Sequence, residues 1–100
     1  MELFVVRRPS GWAGAKELET AAARAARIGD FEMTSYVRWI RSYVVLEQDG
    51  RLGMFCIYEA RDEAAIREHA RQSNMPVGEI LPVATTLVMR PDPMERREAA

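Results

Sequence analysis

Cysteine and histidine are almost absent from this sequence. Its 100 residues contain one cysteine, Cys56, and one histidine, His69. A single cysteine cannot form a disulfide within the chain. The sequence also lacks an uninterrupted run of about 18 apolar residues, and no basic and apolar leader opens it. These absences predict a reduced, cytoplasmic protein without a membrane-spanning segment.

Neither sign of charge is in marked excess. Fourteen Lys and Arg residues against fifteen Asp and Glu residues give a formal net charge of −1. This balance provides no electrostatic footprint for nucleic acid or for an anionic membrane. Glycine-rich phosphate loops and the HExxH, CxxC and GxSxG patterns are absent as well. The sequence therefore argues against nucleic-acid and membrane partners, and it contains no motif that names a reaction.

Apolar and charged residues are present in the proportions of an ordinary globular domain. Hydrophobic residues make up 48% of the chain and charged residues 29%. A chain of this length buries about 65% of its unfolded surface, which suffices for one core but not for two. We therefore expect one domain over residues 1–90, followed by a flexible, charged C-terminal tail over residues 91–100.

Short runs rich in Val, Ile, Phe, Tyr and Trp predict four strands. They cover Met1–Arg7, Thr34–Leu46, Arg51–Ala60 and Ile80–Met89. Asp49-Gly50 separates the second run from the third, and this dipeptide is typical of a β-hairpin turn.

Two further segments have the periodicity of helices. Between Ala15 and Ile28 the apolar residues recur every three or four positions, and Gly29 then supplies a helix stop. Asp62 is a good N-cap for a second helix, which the sequence Ser73–Pro76 ends.

The order strand, helix, strand, strand, helix, strand is typical of the α+β ferredoxin-like fold. In this βαββαβ sandwich a four-stranded antiparallel sheet carries two helices on one face. The strands are nevertheless apolar in both registers, since Leu3 and Val5 alternate with Phe4 and Val6. A second apolar face usually marks an interface or a ligand site. We therefore expect a homodimer in which the helix-free faces meet, a dimeric α/β barrel-like assembly with a cavity between the sheets.

His69 and Glu59 are the candidate metal ligands. His69 is the only side chain whose ordinary pKa lies near neutrality, so it could bind a metal or carry a proton. Glu59 ends the third strand beside Tyr58, and in a cavity it could act as a general acid or base. The alternatives are a packed core histidine and a surface ion pair. Cys56 lies between apolar neighbours and is typical of a small core residue.

Arg41, Tyr58 and Glu59 are the candidate ligand-binding residues. Arg41 could bind a carboxylate or stack on an aromatic ring. Arg38 lies three residues before Arg41 in the same predicted strand. Side chains at this spacing point to opposite faces of a strand, so the two arginines cannot clamp one anion unless the strand contains a bulge.

Several segments together resemble a family of small bacterial ferredoxin-like proteins of unknown function, one branch of which is described as nickel-binding. The segments are Val37–Val44, Phe55–Ala60 and Ala65–Ala70, followed by Pro76 and Glu79–Val83. The resemblance extends in pattern from Leu3 to about Val88. It implies a dimeric α/β sandwich or barrel, and a divalent transition metal such as nickel as the candidate cofactor.

The resemblance can also be followed residue by residue. Cys56, Glu59 and His69 match positions of the family pattern. The nickel-binding branch has further histidines in the first strand and just before the proline after the second helix, where this sequence has Arg7 and Met75. Arg7 cannot ligate a metal, and Met75 offers a soft thioether that is better suited to copper(I). The resemblance thus implies membership of the family more strongly than it implies a nickel site.

Three functions are compatible with these features. The first is noncatalytic binding of a small molecule or metal ion by a homodimer, near helix two and the sheet, with His69 and Glu59 as polar anchors. The second is a dimeric α/β barrel enzyme that performs proton transfer or oxygen chemistry on a small apolar substrate, with Tyr58 or Arg41 as the orienting group. The third is an interaction module whose helix-free face binds a different protein.

Overall fold

The computed structural model describes residues 1–93 and has the predicted fold. Its elements are β1 (Glu2–Trp12), α1 (Ala15–Phe31), β2 (Val37–Leu46), β3 (Leu52–Ala60), α2 (Glu63–Ser73) and β4 (Ile80–Pro82). The strands form one sheet in the order β2-β3-β1-β4, and each neighbouring pair is antiparallel. Most of the predicted tail, residues 94–100, lies outside the described residues, so its flexibility stays a prediction.

Alternate residues of the strands face the helices and form the core. Phe4, Val6, Met54, Cys56 and Tyr58 are all at most 5% exposed. Leu18, Ala21 and Ala25 of α1 and Ile66 and Ala70 of α2 pack against them in a single cluster. The two helices thus cover one face of the sheet, as the periodicity predicts. Within the described part of the chain, no helix has the length and apolar character needed to cross a membrane.

The predicted turn and cap residues have the expected roles. Gly50 has a φ of 82° in the turn between β2 and β3, where glycine is favoured. The carboxylate of Asp62 accepts a hydrogen bond from the Ala65 N–H at 2.8 Å, as an N-cap should. Asn74 ends α2 in the left-handed conformation. The prediction for Gly29 is wrong, because α1 continues through it to Phe31.

Gly29 lies inside α1 and faces the imidazole of His69. A Cβ atom at this position would lie 3.4 Å from Nε2 of His69. That distance is an ordinary van der Waals contact, so a Cβ atom would fit beside the imidazole. Glycine in a helix interior costs about 1 kcal/mol relative to alanine. This cost arises at a position where α1 and α2 are in contact.

A bulge in β2 changes the faces to which its arginines point. Trp39 pairs with Tyr58, whereas Arg41 pairs with Ile57, so Ile40 is an additional residue in the strand. Such a bulge shifts the alternation of side chains by one residue. Arg38, opposite Glu59, and Arg41, opposite Ile57, therefore share the helix-free face. The expectation that they point to opposite faces is wrong for this reason.

The last strand is much shorter than predicted. Only Ile80–Pro82 pairs with β1, although the apolar pattern runs on to Met89. Pro82 has no backbone N–H with which to extend the ladder, and after one further bond, from Val83 N–H to the Leu3 carbonyl, the chain leaves the sheet.

Residues 84–92, here called the C-terminal strap, cross the helix-free face instead. They start at the β4 edge of the sheet and reach the β2 edge, where Asp92 contacts Arg41.

The helix-free face is apolar and only partly covered. Val5, Ile57 and Val83 are half-buried, while Leu3, Tyr43, Phe55 and Leu81 are between 38% and 50% exposed. In the strap, Leu87, Val88 and Met89 are between 72% and 82% exposed. The two-faced apolar pattern of the strands therefore gives a face that one protomer covers incompletely.

Candidate functional site

The structure divides the predicted site residues between the two faces of the sheet. Tyr58 and His69 lie on the helix side, with their rings edge to face and 5.8 Å between centroids. Arg41 and Glu59 lie on the helix-free side. Glu59 and Tyr58 are neighbours in β3, so their side chains leave the strand in opposite directions. Within one protomer the geometry does not bring His69 and Glu59 together.

His69 is buried between the two helices and the sheet. It is 1% exposed, and its Nε2 lies 2.8 Å from the carbonyl oxygen of Ala25 in α1. Burial lowers the pKa of His69; the bond to Ala25 opposes this shift, and the nearby guanidinium of Arg8 adds to it. The imidazole is therefore neutral at pH 7. Its other nitrogen, Nδ1, is buried and has no hydrogen-bond partner in the described structure.

Tyr58 joins His69 to a buried cation. Tyr58 is 0% exposed, and burial raises its pKa to about 12, so its hydroxyl stays protonated. Its oxygen accepts a hydrogen bond from Nη2 of Arg8 at 3.1 Å. Arg8 also donates from Nη1 to the carbonyl oxygen of Pro76 at 2.6 Å. On its other side, the Tyr58 ring stacks on that of Trp39, with 5.8 Å between centroids.

Arg8 lies next to the candidate site and was not identified from the sequence. It is 0% exposed, which is rare for arginine, and no carboxylate pairs with it among residues 1–93. The signal was available, because Arg8 has the same strand parity as Phe4 and Val6, which face the core. If the first strand is predicted to extend to Trp12 rather than to Arg7, Arg8 falls on the side of the strand that faces the core.

A cleft of about 220 Å³ opens beside His69, between α1 and the bulged part of β2. Its floor includes His69, Tyr58 and Val37, all buried, and Trp39 forms a further wall. The indole N–H of Trp39 is already bonded to Oγ of Ser42 at 2.7 Å. The remaining lining residues are Ala25, Ala26, Gly29, Asp30, Ile40 and Arg41. The cleft is thus mainly apolar, with one buried imidazole at its floor.

A second, larger space lies on the helix-free face. A groove of about 710 Å³ runs between the sheet and the C-terminal strap. Leu3, Val5, Ile57 and Val83 line its sheet side. Arg41 lies at its β2 end, where Nη1 is 2.6 Å from Oδ2 of Asp92.

The other predicted positions have structural contacts. Glu59 lies 3.7 Å from Arg38 in an exposed ion pair. This is the surface ion pair that the sequence left open as the alternative to a metal-binding or acid–base role. Cys56 is 0% exposed and lies 3.5 Å from Sδ of Met54, as expected for a core cysteine. Arg7 lies on the helix-free side, where Nη2 donates to both carboxylate oxygens of Glu47 at 2.8 and 3.0 Å. Met75, in contrast, is buried in the core.

The donor set of residues 1–93 does not fit a nickel site. Among residues 1–93, no group of three or more His, Cys, Asp or Glu side chains lies close enough to hold a metal ion. His69 uses Nε2 for Ala25, and Glu59 lies across the sheet from it. Nickel and similar ions take several nitrogen, oxygen or sulfur ligands. The described residues of a single chain therefore provide only an isolated imidazole nitrogen.

Comparison with known proteins agrees with this architecture. A crystal structure of SCO4226 from Streptomyces coelicolor A3(2) superposes with a TM-score of 0.68 at 14% sequence identity, covering 85% of this chain and 99% of that one. A search of curated proteins found no match. Residues 4–83 match the family described as "Nickel responsive protein SCO4226-like", which confirms the predicted family resemblance. The chain belongs to the SCO4226-like family.

Proposed function

We propose that this protein is a noncatalytic binding protein that holds a small, uncharged molecule in the cleft at His69. One observation carries the proposal: a fully buried imidazole with an unpartnered Nδ1 lines an apolar cleft. Buried polar atoms in native proteins nearly always have a hydrogen-bond partner. The Nε2 edge of the ring faces Ala25 and Gly29, so a ligand that donates a hydrogen bond would supply the missing partner after a small movement of the ring exposes Nδ1 to the cleft.

The tautomer of His69 follows from its backbone contact. A carbonyl oxygen can only accept, so Nε2 must carry the proton that bonds to Ala25. In the neutral ring, Nδ1 is then an acceptor with a free lone pair. The preferred ligand therefore has a donor, such as a hydroxyl or N–H group, rather than a second acceptor.

The size and lining of the cleft restrict the ligand further. Sites for drug-sized molecules measure about 300–1,000 Å³, and a cavity of about 150 Å³ can hold a single benzene ring. The cleft of about 220 Å³ falls between these limits. The flat wall of Trp39 and the small side chains of Ala25 and Ala26 favour one aromatic ring. A phenol-like molecule combines that ring with a donor.

Binding without catalysis is favoured by the number of reactive groups. Tyr58, with its pKa raised to about 12, is not a base at neutral pH. His69 has one free nitrogen. Among the described residues, the other acid or base that could act in the cleft is Asp30, which is exposed at its rim. General acid–base catalysis requires groups positioned on the reacting atoms. The alternative proton-transfer enzyme would require another group from outside the protomer.

Phenol and toluene, which have nearly the same shape, test the proposal. Amide NMR spectra of the protein are recorded during titration with each compound. We expect phenol to shift the signals of residues around Ala25 and Gly29, with a dissociation constant on the order of 1 mM. Toluene lacks the donor and should bind about fivefold more weakly, the effect of one hydrogen bond between neutral groups.

His69→Gln separates binding from folding. The Gln amide N–H can still donate to the Ala25 carbonyl, but the acceptor at Nδ1 is lost. We expect this variant to fold and to bind phenol no better than toluene. Gln72→Ala, an exposed change on the same helix, serves as the control and should keep the preference. Equal binding of the two compounds to the unchanged protein would overturn the proposal.

A nickel titration of the same sample tests the metal alternative that the family description suggests. Because residues 1–93 contain no cluster of donors, we expect no stoichiometric binding of Ni²⁺ that depends on His69. Saturable binding at one ion per chain, lost in His69→Gln, would contradict the proposed ligand class. It would also indicate that donors from outside residues 1–93 of one chain complete a metal site.

We further propose that the protein works as a homodimer through its helix-free side. The exposed apolar side chains Leu81, Leu87, Val88 and Met89 lie on β4 and on the strap over that face. A stable interface buries about 800 Å² per partner, whereas four strands at ordinary spacing and length present a face of about 350 Å² in projection. The outward side of the strap adds to this area. A second copy would cover both surfaces at once.

Light scattering during gel filtration tests this assembly. We expect a dimer at micromolar concentration and a monomer for Leu81→Glu, which places a charge on the proposed interface. Phe31→Glu is a matched control, because Phe31 is 81% exposed at the end of α1, away from the sheet face. A monomeric unchanged protein would refute the dimer and would favour a different protein as the partner of this face.

A further inference from the structure

We infer that Arg41 and Tyr43 form a second binding site, which receives the carboxylate of an amphiphilic ligand whose apolar chain lies in the groove under the strap. Asp92 of the strap occupies this site in the free protein. The inference concerns the helix-free side of the sheet and does not depend on the ligand proposed for the cleft at His69.

The contacts of Asp92 indicate what the site recognises. Nη1 of Arg41 lies 2.6 Å from Oδ2 of Asp92, and the hydroxyl of Tyr43 donates a hydrogen bond to the same oxygen. Arg41 and Tyr43 are two residues apart in β2 and therefore share a face. An arginine and a phenol converging on one oxygen form a receptor for a carboxylate. The hydrogen bond from Tyr43 and the charge of Arg41 also lower the pKa of Asp92.

The groove beside this pair is built for an apolar chain. Its volume is about 710 Å³, and its sheet side is aliphatic, with Leu3, Val5, Ile57 and Val83. The apolar side chains of the strap do not fill it, since Leu87 and Met89 are 78% and 82% exposed. A groove of this size lies within the range of about 300–1,000 Å³ that is typical of small-molecule sites.

Charge selects an anionic amphiphile over a neutral one. The charged residues that line the groove are Arg41, Arg90 and Asp92, two cations and one anion. If a ligand carboxylate displaces Asp92, the cation at the end of the groove remains paired. The second copy proposed for this side would cover the strap and the apolar sheet residues outside the groove, such as Leu81, and would leave the groove beneath the strap to the ligand.

The strap also lies beyond the part of the chain that matches the family. That match covers residues 4–83, whereas the strap covers residues 84–92. Arg41 and Tyr43 are within the matched part, and Asp92 is outside it. The internal carboxylate is therefore carried by a segment outside the matched range, where it can compete with a ligand for the same two side chains.

Calorimetric titration with decanoate, below its micelle concentration, tests the inference, with 1-decanol as the uncharged control. We expect decanoate to bind and 1-decanol to bind about tenfold more weakly, as for the loss of one charge-assisted hydrogen bond. Asp92→Asn removes the competing charge and should bind decanoate several-fold more tightly, with no change for 1-decanol.

Two arginine variants complete the test. Arg41→Met should weaken decanoate binding about tenfold. Arg38→Met is the matched control, because Arg38 is exposed on the same face but pairs with Glu59 and does not line the groove. Equal effects of the two arginine variants, or unchanged affinity in Asp92→Asn, would overturn the inference. His69→Gln should leave decanoate binding unchanged, which separates this outcome from that of the phenol titration.

Discussion

His69 of α2 bonds to the backbone of Ala25 in α1, with 2.8 Å between Nε2 and the carbonyl oxygen. This contact ties the two helices together on the same side of the sheet. It also fixes which nitrogen of the imidazole carries the proton. The same residue therefore has a structural role through Nε2 and the proposed binding role through Nδ1.

Burial of His69 predicts a pH dependence of stability. Its pKa in the folded protein is lowered from the ordinary value of 6.5. The unfolded chain therefore binds this proton more readily, and stability falls as the pH decreases below about 6.5. One proton limits the slope to about 1.4 kcal/mol per pH unit.

Urea unfolding at pH 7.5, 6.5 and 5.5 measures the slope. We expect the free energy of unfolding of His69→Gln to change less over this pH range than that of the unchanged protein. Because carboxylates titrate in both proteins, only the difference between them reports on His69. Parallel pH profiles would contradict the prediction.

Arg8 should be essential for stability despite its buried charge. It connects β1 to the chain after α2 through the Pro76 carbonyl and to the centre of the core through Tyr58. In Arg8→Leu both partners lose their donor, and we expect the free energy of unfolding to decrease by about 2–4 kcal/mol.

A double-mutant cycle checks how this effect arises. Tyr58→Phe removes the hydroxyl that accepts from Arg8. If the hydrogen bond couples the residues, the double variant should be more stable than the sum of the two single changes predicts, by about 0.5–3 kcal/mol. Strict additivity in chemical denaturation would show that the bond contributes nothing.

Gly53 should not tolerate a side chain. A Cβ atom there would lie 2.8 Å from the carbonyl oxygen of Arg8 and would also meet the carboxylate of Glu47, which crosses this position to reach Arg7. The clash with backbone cannot be relieved by a rotamer change. We expect Gly53→Ala to destabilise the protein by about 1–3 kcal/mol, measured as a loss of unfolding free energy in urea.

Gly14→Ala is the control for the glycine prediction. A Cβ atom at Gly14 would meet nothing within 4 Å, and its φ of −162° is ordinary extended backbone. Gly14 is the N-cap of α1, where alanine is less favourable than glycine by about 1 kcal/mol or less, so the change should cost less than Gly53→Ala. A similar loss in both variants would mean that crowding at Gly53 is not the cause.

The N-cap of α2 should contribute through one hydrogen bond. Asp62 accepts from the Ala65 N–H at the start of the helix. Asp62→Ala removes this acceptor, and we expect a loss of about 1 kcal/mol. Asp62→Asn keeps an acceptor oxygen and should retain most of the stability. Thermal unfolding of the three proteins checks the order.

The sequence by itself determined the elements and their order. Period-two and period-3.6 patterns identify strands and helices because a side chain must face the core at regular intervals. Local chemistry also placed Asp62 as a cap and Gly50 in the hairpin turn, since each depends only on its neighbours in the chain. The family resemblance, carried by segments such as Phe55–Ala60, was also visible in the sequence.

Only the tertiary structure decided which side chains share a site. The bulge at Ile40 brought Arg38 and Arg41 to one face, and the alternation of β3 placed Glu59 across the sheet from His69. Burial of Arg8 and the path of the strap likewise depend on partners that are distant in the chain. Register and the pairing of sheet edges arise from long-range contacts, and no local pattern of residues specifies them.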